Sequence, residues 1–322
     1  MVLQQIHILE EMSLASLSQK EQFLVGLLFF NLIDILIWNI KDARWLMNIS
    51  YGVGDMLDIN MIKELWVRKF EDVASEIAVW DSVASEYLLE EKNNFKEDPF
   101  LQFMEEKIQL SQNMEVLDVG CGAGAYSCRI AERAGNVTGV DFSPRMIEEG
   151  QHYVERNHIK NVQFLERNWH TCDGEEFKGK YDMVFAHTTP AVIDYDSFKK
   201  MNDASKKYCF ISKPTRRNDC VYDEIRKIAG DPSLKKLDDM PLLFDALWFW
   251  GYHPELRYDP VVWKSERTVE EAEQWYLRRL KANMRIDTYI EKQVKDYLQS
   301  ISVNNVVREA IEVTLTSVFW TV

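Results

Sequence analysis

Val116-Leu117-Asp118-Val119-Gly120-Cys121-Gly122-Ala123-Gly124 decides the fold. A short apolar run with the character of a buried strand meets three glycines in five positions, and the amphipathic stretch from Ala125 to Ile130 follows at once. Glycines let the backbone turn sharply and approach a bound molecule without a Cβ in the way. A helix opening near Gly124 would aim unpaired amides and its positive end at that molecule. This strand-turn-helix is the start of a ligand cradle.

Outward from the turn, short apolar runs alternate with amphipathic segments, the pattern of βαβ units on a parallel sheet. Strands are expected near 115–119, 136–141, 161–166, 181–186 and 207–213, with helices near 124–134, 144–158, 194–206 and 219–230. Beyond Pro232 an aromatic stretch, Phe244 to Tyr252, leads to a strand at 255–263. Thr268 and Glu271 form a capping-box pair for a helix over 268–284, and a second helix near 287–300 precedes a strand at 310–320. The expected class is α/β, a mostly parallel doubly wound sheet with an antiparallel carboxyl-terminal edge. Ile62, Leu65, Trp66, Lys69, Val73 and Ile77 fall on a helical period, so residues 1–105 form a helical N-terminal segment serving as lid, dimerisation element or both. Residues 106–322 are then a Rossmann-like domain with a substrate-side insertion at about 231–306.

The glycines leave two ligand classes open, because Gly120, Gly122 and Ala125 also satisfy the looser dinucleotide fingerprint G-x-G-x-x-G/A. Asp118 separates them. A carboxylate there would repel a pyrophosphate, whereas it can hold an ammonium such as that on the methionine part of S-adenosylmethionine. An NAD(P)-dependent oxidoreductase and a non-catalytic cofactor-binding module are the rival readings. Asp118-Val119-Gly120-Cys121-Gly122-Ala123-Gly124 resembles the first motif, E/D-x-G-x-G-x-G, of class I (Rossmann-like) S-adenosylmethionine-dependent methyltransferases of the type 11 kind. Trp80-Asp81-Ser82-Val83-Ala84-Ser85-Glu86-Tyr87 is similar to the W/F/Y-D-x-x-A-x-x-Y signature that precedes many such domains. The resemblance spans roughly residues 60–285.

The resemblance implies S-adenosylmethionine as cofactor and S-adenosylhomocysteine as product, with Asp118, Gly120, Cys121, Gly122 and Gly124 forming the cradle. Asp141, at the end of the second strand, would accept from the ribose hydroxyls, although helix capping also explains a carboxylate there. Phe142 and Met146 stand where the family places apolar side chains against adenine. Asn168 occupies the place of the usual aspartate, and its amide oxygen can still accept from the adenine amino group. Trp169 shields the purine or fills the core; Tyr87 closes over the cofactor or joins a helix face. Ligands of open α/β sheets lie beyond the carboxyl ends of the strands, which makes Thr188 and Thr189 substrate-pocket residues and His187 the general-base candidate.

A formal charge of −14 and a pI near 5.0 disfavour a nucleic-acid partner. The expected acceptor is a small molecule, with a protein side chain as the second choice. The five cysteines contain no CxxC pair, so neither a metal site nor a disulfide framework is suggested, and a cytoplasmic location is expected. The apolar stretch from Gln22 to Trp38 carries Asn31 and Asp34. A mid-span charge costs about 3 kcal/mol on insertion, so a buried or homodimer-forming helix is preferred there over a membrane anchor.

Overall fold

Alternation of side chains along each strand sorts the core into two layers. Leu117 and Val119 of β1 (Glu115–Val119) pack with Val140, Val184, Ala186, Ile211 and Trp320 on one face, while Val116 joins Val137, Met183, Phe185 and Phe210 on the other. The same alternation turns Asp118 toward the second face, under the helix that follows the turn. The computed structural model describes residues 58–67, 73–87, 94–231, 239–282 and 284–322. The 22–38 stretch and Lys69 lie outside the described residues.

Beyond β1, the strands are β2 (Asn136–Asp141), β3 (Val162–Glu166), β4 (Tyr181–His187), β5 (Ser205–Asn218), β6 (Glu255–Thr268) and β7 (Val306–Thr321), in the order β3-β2-β1-β4-β5-β7-β6. The first five are parallel; β7 is antiparallel to both of its neighbours. The α/β class is therefore as expected. The antiparallel edge is as expected, with β7 interior and β6 outermost. Seven residues of β7 from Val313 on are buried, because β5 and β6 flank it and helices cover its faces. The order reverses between β1 and β4, which opens a crevice at their carboxyl ends.

The helices are α1 (Ile59–Leu65), α2 (Val73–Asp81), α3 (Pro99–Lys107), α4 (Ala125–Ala131), α5 (Pro144–Arg156), α6 (Tyr195–Ala204), α7 (Cys220–Ala229), α8 (Met240–Phe249), α9 (Val269–Lys281) and α10 (Thr288–Ile301). The boundary expected at 105/106 falls inside α3, whose Phe100, Leu101, Phe103 and Met104 are built into the second core layer. Thr268 and Glu271 make the expected capping box on α9. α8 lies where only an aromatic stretch was assigned; Met240, Leu243, Ala246 and Leu247 bury one helical face against the first layer. Among the tryptophans, Trp66 is core, Trp250 is half-buried and stacked on Phe198 with ring centroids 5.4 Å apart, and Trp248 is exposed.

β5, β6 and β7 overrun the rest of the sheet on its carboxyl-end side. There α7, α9 and α10 form a separate core around Tyr222, Ile225, Tyr276, Leu280 and Leu298. Among the described residues no helix is long and apolar enough to cross a membrane.

Candidate active site

Gly120, Gly122 and Gly124 all have positive φ, at 69°, 54° and 81°, so the turn needs glycine for its backbone alone. Their surroundings differ. A Cβ on Gly120 would fall 1.9 Å from Thr189 Oγ1, and one on Gly124 would fall 2.2 Å from the Phe164 ring. Gly122 has nothing nearer than Met146 Sδ at 3.7 Å, and it opens on a cleft shared with Asp141, Phe142, Met146, Thr188 and Thr189.

Two carboxylates support the turn. Asp141 lines the cleft and accepts from the Gly122 amide (2.9 Å) and the Ser143 amide (2.9 Å), so it fastens the turn to the start of α5. Burial pushes its carboxyl above the ordinary range, against the effect of those hydrogen bonds. Asp118 is 2% exposed and accepts from Ser127 Oγ of α4 at 2.6 Å; burial pushes it up to about 7. A desolvated carboxylate beneath an open turn favours a cation nearby. The Cys121 thiol is pushed well above its usual range by burial and by both carboxylates, so it is no nucleophile at neutral pH.

Asp81 makes a contact beside the cleft that the sequence reading did not assign. Its Oδ1 accepts from Ser143 Oγ (2.5 Å) and from the Arg145 amide (3.2 Å), which ties α2 to the amino end of α5. Val83 and Ala84 then bury against Ala123 and Met146, and the 3-10 turn Ala84–Tyr87 brings Tyr87 to the cleft, 45% exposed and edge-on to Trp80 with centroids 5.8 Å apart. The aspartate of the W-D-x-x-A-x-x-Y pattern was the available signal.

The opposite wall comes from the end of β4. Thr188 has φ 48°, and its amide donates to Ser212 O on β5. His187 lies between Phe100 (4.7 Å) and Tyr126 (4.1 Å), with Nδ1 3.2 Å from Thr188 Oγ1 and no hydrogen-bond partner for its buried Nε2. Burial pushes its imidazole down to about 3, leaving it neutral and weakly basic at pH 7. Trp169 is core: its Nε1 donates to Ser197 O at 3.0 Å, and its ring meets Phe177. Asn168 Oδ1 accepts from the His170 amide (3.0 Å), so one lone pair is already used, and the residue borders a neighbouring hollow with Asp141, Phe142 and Trp169. Cys121, Phe142 and Met146 are brought to the first cleft as expected.

Residues 110–232 match the family model described as a methyltransferase domain. The chain carries a methyltransferase domain. The ubiquinone biosynthesis O-methyltransferase of Rickettsia typhi is 25% identical over 130 residues, 39% of this chain and 49% of that protein. The 23S rRNA (uracil(1939)-C(5))-methyltransferase RlmD of Alcanivorax borkumensis is 39% identical over 57 residues, 18% of this chain and 13% of its own. The chain thus spans less than half the length of these curated relatives. Among solved structures, the YcgJ protein from Bacillus subtilis superposes with a TM-score of 0.44 at 15% identity, over 68% of this chain and 96% of that one. A SAM-dependent methyltransferase from Aquifex aeolicus gives 0.40 at 15%, over 73% and 97%.

The methyltransferase domain's turn fits such a cofactor on two observations: the open side of Gly122, and a buried carboxylate at Asp118 whose charge a nearby ammonium would stabilise.

Proposed function

We propose that the protein transfers a methyl group from S-adenosylmethionine to a small-molecule acceptor in the cytoplasm. The observation that carries this reading is the cleft over Gly122, walled by Asp141 on one side and by the end of β4 on the other. When bound, the cofactor supplies a methyl group on a sulfonium, an electrophile that needs no metal or oxidant. The Gly120–Gly124 backbone and Asp118 hold the methionine end, and Asp141 accepts from the ribose. Phe142 and Met146 offer apolar surface to the adenine, and Asn168 accepts from its amino group.

The acceptor's side of the cleft is formed by Thr188, Thr189 and Tyr87. Methyl transfer from a sulfonium proceeds largely through alignment and exclusion of water. Those residues enclose the reaction, and Thr188 in its strained conformation fixes the rim. His187, neutral and ring-packed, serves to shape this wall rather than to remove a proton; a base whose conjugate acid titrates near 3 gains little from the acceptor's proton at pH 7.

The test is a calorimetric titration with S-adenosylhomocysteine and, separately, NADH, followed by incubation of cell extract with cofactor carrying a radiolabelled methyl group. Binding of S-adenosylhomocysteine alone and label in the low-molecular-weight fraction are expected. Binding of NADH alone overturns the reading, and label confined to protein or RNA overturns the small-molecule acceptor.

A further inference from the structure

A second cavity shares Trp80 and Tyr87 with the cofactor cleft and lies under the overhanging ends of β5, β6 and β7. Its walls carry four cations, Arg217, Lys264, Arg267 and Arg279, and one carboxylate, Glu309. Glu309 is already committed: it accepts from Tyr276 Oη and from Ser265 Oγ (3.0 Å), and lies 3.6 Å from Arg267. Asp219 pairs with Arg217 at 2.7 Å but is buried outside the cavity wall, and Glu86 reaches Arg267 only at 3.7 Å. In a chain of net charge −14, cations therefore outnumber carboxylates here.

The fold takes trouble to aim these groups. Between Thr215, paired with Thr314, and Asn218, paired with Glu312, three steps on β5 oppose two on β7, and the bulge contains Arg216 at φ 47°. A bulge re-aims the side chain beside it, and a non-glycine residue in the left-handed region costs of the order of 1 kcal/mol. Here the bulge sets the Arg217 guanidinium 5.7 Å from the Trp263 ring centre. Arg279 stacks 3.6 Å over Tyr222 and 5.5 Å from Trp275, in an enclosed setting that lowers its pKa through desolvation first and also through the charge of Arg217. The buried Asp219 carboxylate, paired with Arg217, offsets part of that repulsion, and a further anion on the cavity side would offset more. Trp275 also packs with Val83, Ala84 and Met146, so the same ring forms part of the partition between this cavity and the cofactor cleft.

We propose that this cavity binds the methyl acceptor by an anionic group, a carboxylate or phosphate on a small molecule with an apolar or aromatic body, which Arg217 and Arg279 grip while Trp263 and Trp275 flank the body. This rests on the methyl-transfer reading. The anion end sits in the second cavity, and the atom to be methylated reaches past Trp80 and Tyr87 toward the cleft. A planar guanidinium fork matches either oxyanion, and its stacking on rings leaves the fork pre-aligned.

The test uses the full chain saturated with S-adenosylhomocysteine, titrated calorimetrically with benzoate, phenyl phosphate and inorganic phosphate, and with benzyl alcohol as the neutral counterpart. Expected is binding of benzoate or phenyl phosphate in preference to benzyl alcohol, weakened about tenfold in Arg217→Gln and in Lys264→Gln, with the affinity for S-adenosylhomocysteine unchanged in both. Lys264 is exposed, so its variant guards against a folding artefact. Equal binding of the alcohol, anion binding indifferent to both substitutions, or no binding of any anion overturns the proposal while leaving methyl transfer standing. So does displacement of the anions by a short RNA with no effect of either substitution. Failure of S-adenosylhomocysteine itself to bind counts against the methyl-transfer reading instead.

Discussion

A methyl group added at Gly120 would meet Thr189 Oγ1 at 1.9 Å, but one added at Gly122 would make only ordinary contact with Met146 Sδ at 3.7 Å, so two substitutions of the same kind should part company. Gly120→Ala is expected to lower the melting temperature markedly by forcing apart the turn and the end of β4. Gly122→Ala should cost only the 1–2 kcal/mol of an alanine at positive φ, yet weaken S-adenosylhomocysteine binding by about tenfold or more. Melting curves and calorimetry on both variants decide it. Asp118 gives a pH signature. Its folded pKa of about 7 lies above its unfolded value, so its contribution to stability is complete below about pH 4 and is lost as pH rises through 7, a swing of roughly 4 kcal/mol. The stability of the unliganded protein relative to Asp118→Asn should fall between pH 5 and about 8; an unchanged difference would refute the assignment. His187 makes the opposite prediction. Because its imidazole stays neutral down to about 3, the rate profile should show no limb attributable to it between about pH 5.5 and 8, and His187→Asn should keep that profile shape.

Among the elements, α5 has the most consequential attachment, because its amino end bears Asp141's bond to Ser143 and Asp81's bonds to Ser143 and Arg145. Asp81→Ala should cost about 1 kcal/mol, the worth of a capping interaction, and release α2 and Tyr87 from the cleft. Faster proteolytic cutting within 73–87 and weaker S-adenosylhomocysteine binding are expected together; a loss of stability without either would make Asp81 a simple cap. The parallel half of the sheet was legible because each βαβ unit carries its own signal, apolar runs of strand length between amphipathic stretches. The turn, Asp141 and the capping box at Thr268 were legible for the same reason: all are local. Three features were not. α8 hid behind its aromatics, because Trp248, Phe249 and Trp250 obscure the spacing of Met240, Leu243 and Ala246. The interior place of β7 depends on pairing with β5 and β6, which alternation along one strand does not encode. The enclosure of His187 by Phe100 and Tyr126 joins residues far apart in sequence, so its depressed basicity had no local sign.

At the scale of the whole molecule, the question is which acceptor a chain of charge −14 can admit. Relatives named as 23S rRNA methyltransferases match only short stretches, 57 residues in the Alcanivorax borkumensis protein. Binding of a polynucleotide draws on many cations spread along a track, each phosphate contact adding to the salt dependence. Here Arg217, Lys264, Arg267 and Arg279 line one cavity, an arrangement that suits a single anionic group. A single anionic group can enter at the cost of one desolvation. Even at about 50 mM salt, where phosphate contacts bind most strongly, micromolar protein should fail to retard a structured RNA in a gel, while binding of a monovalent small anion should weaken only slightly on going to about 200 mM. A retarded band that disappears steeply with salt would mean that cations elsewhere on the surface form an RNA track, and the acceptor would then have to be sought among nucleic acids.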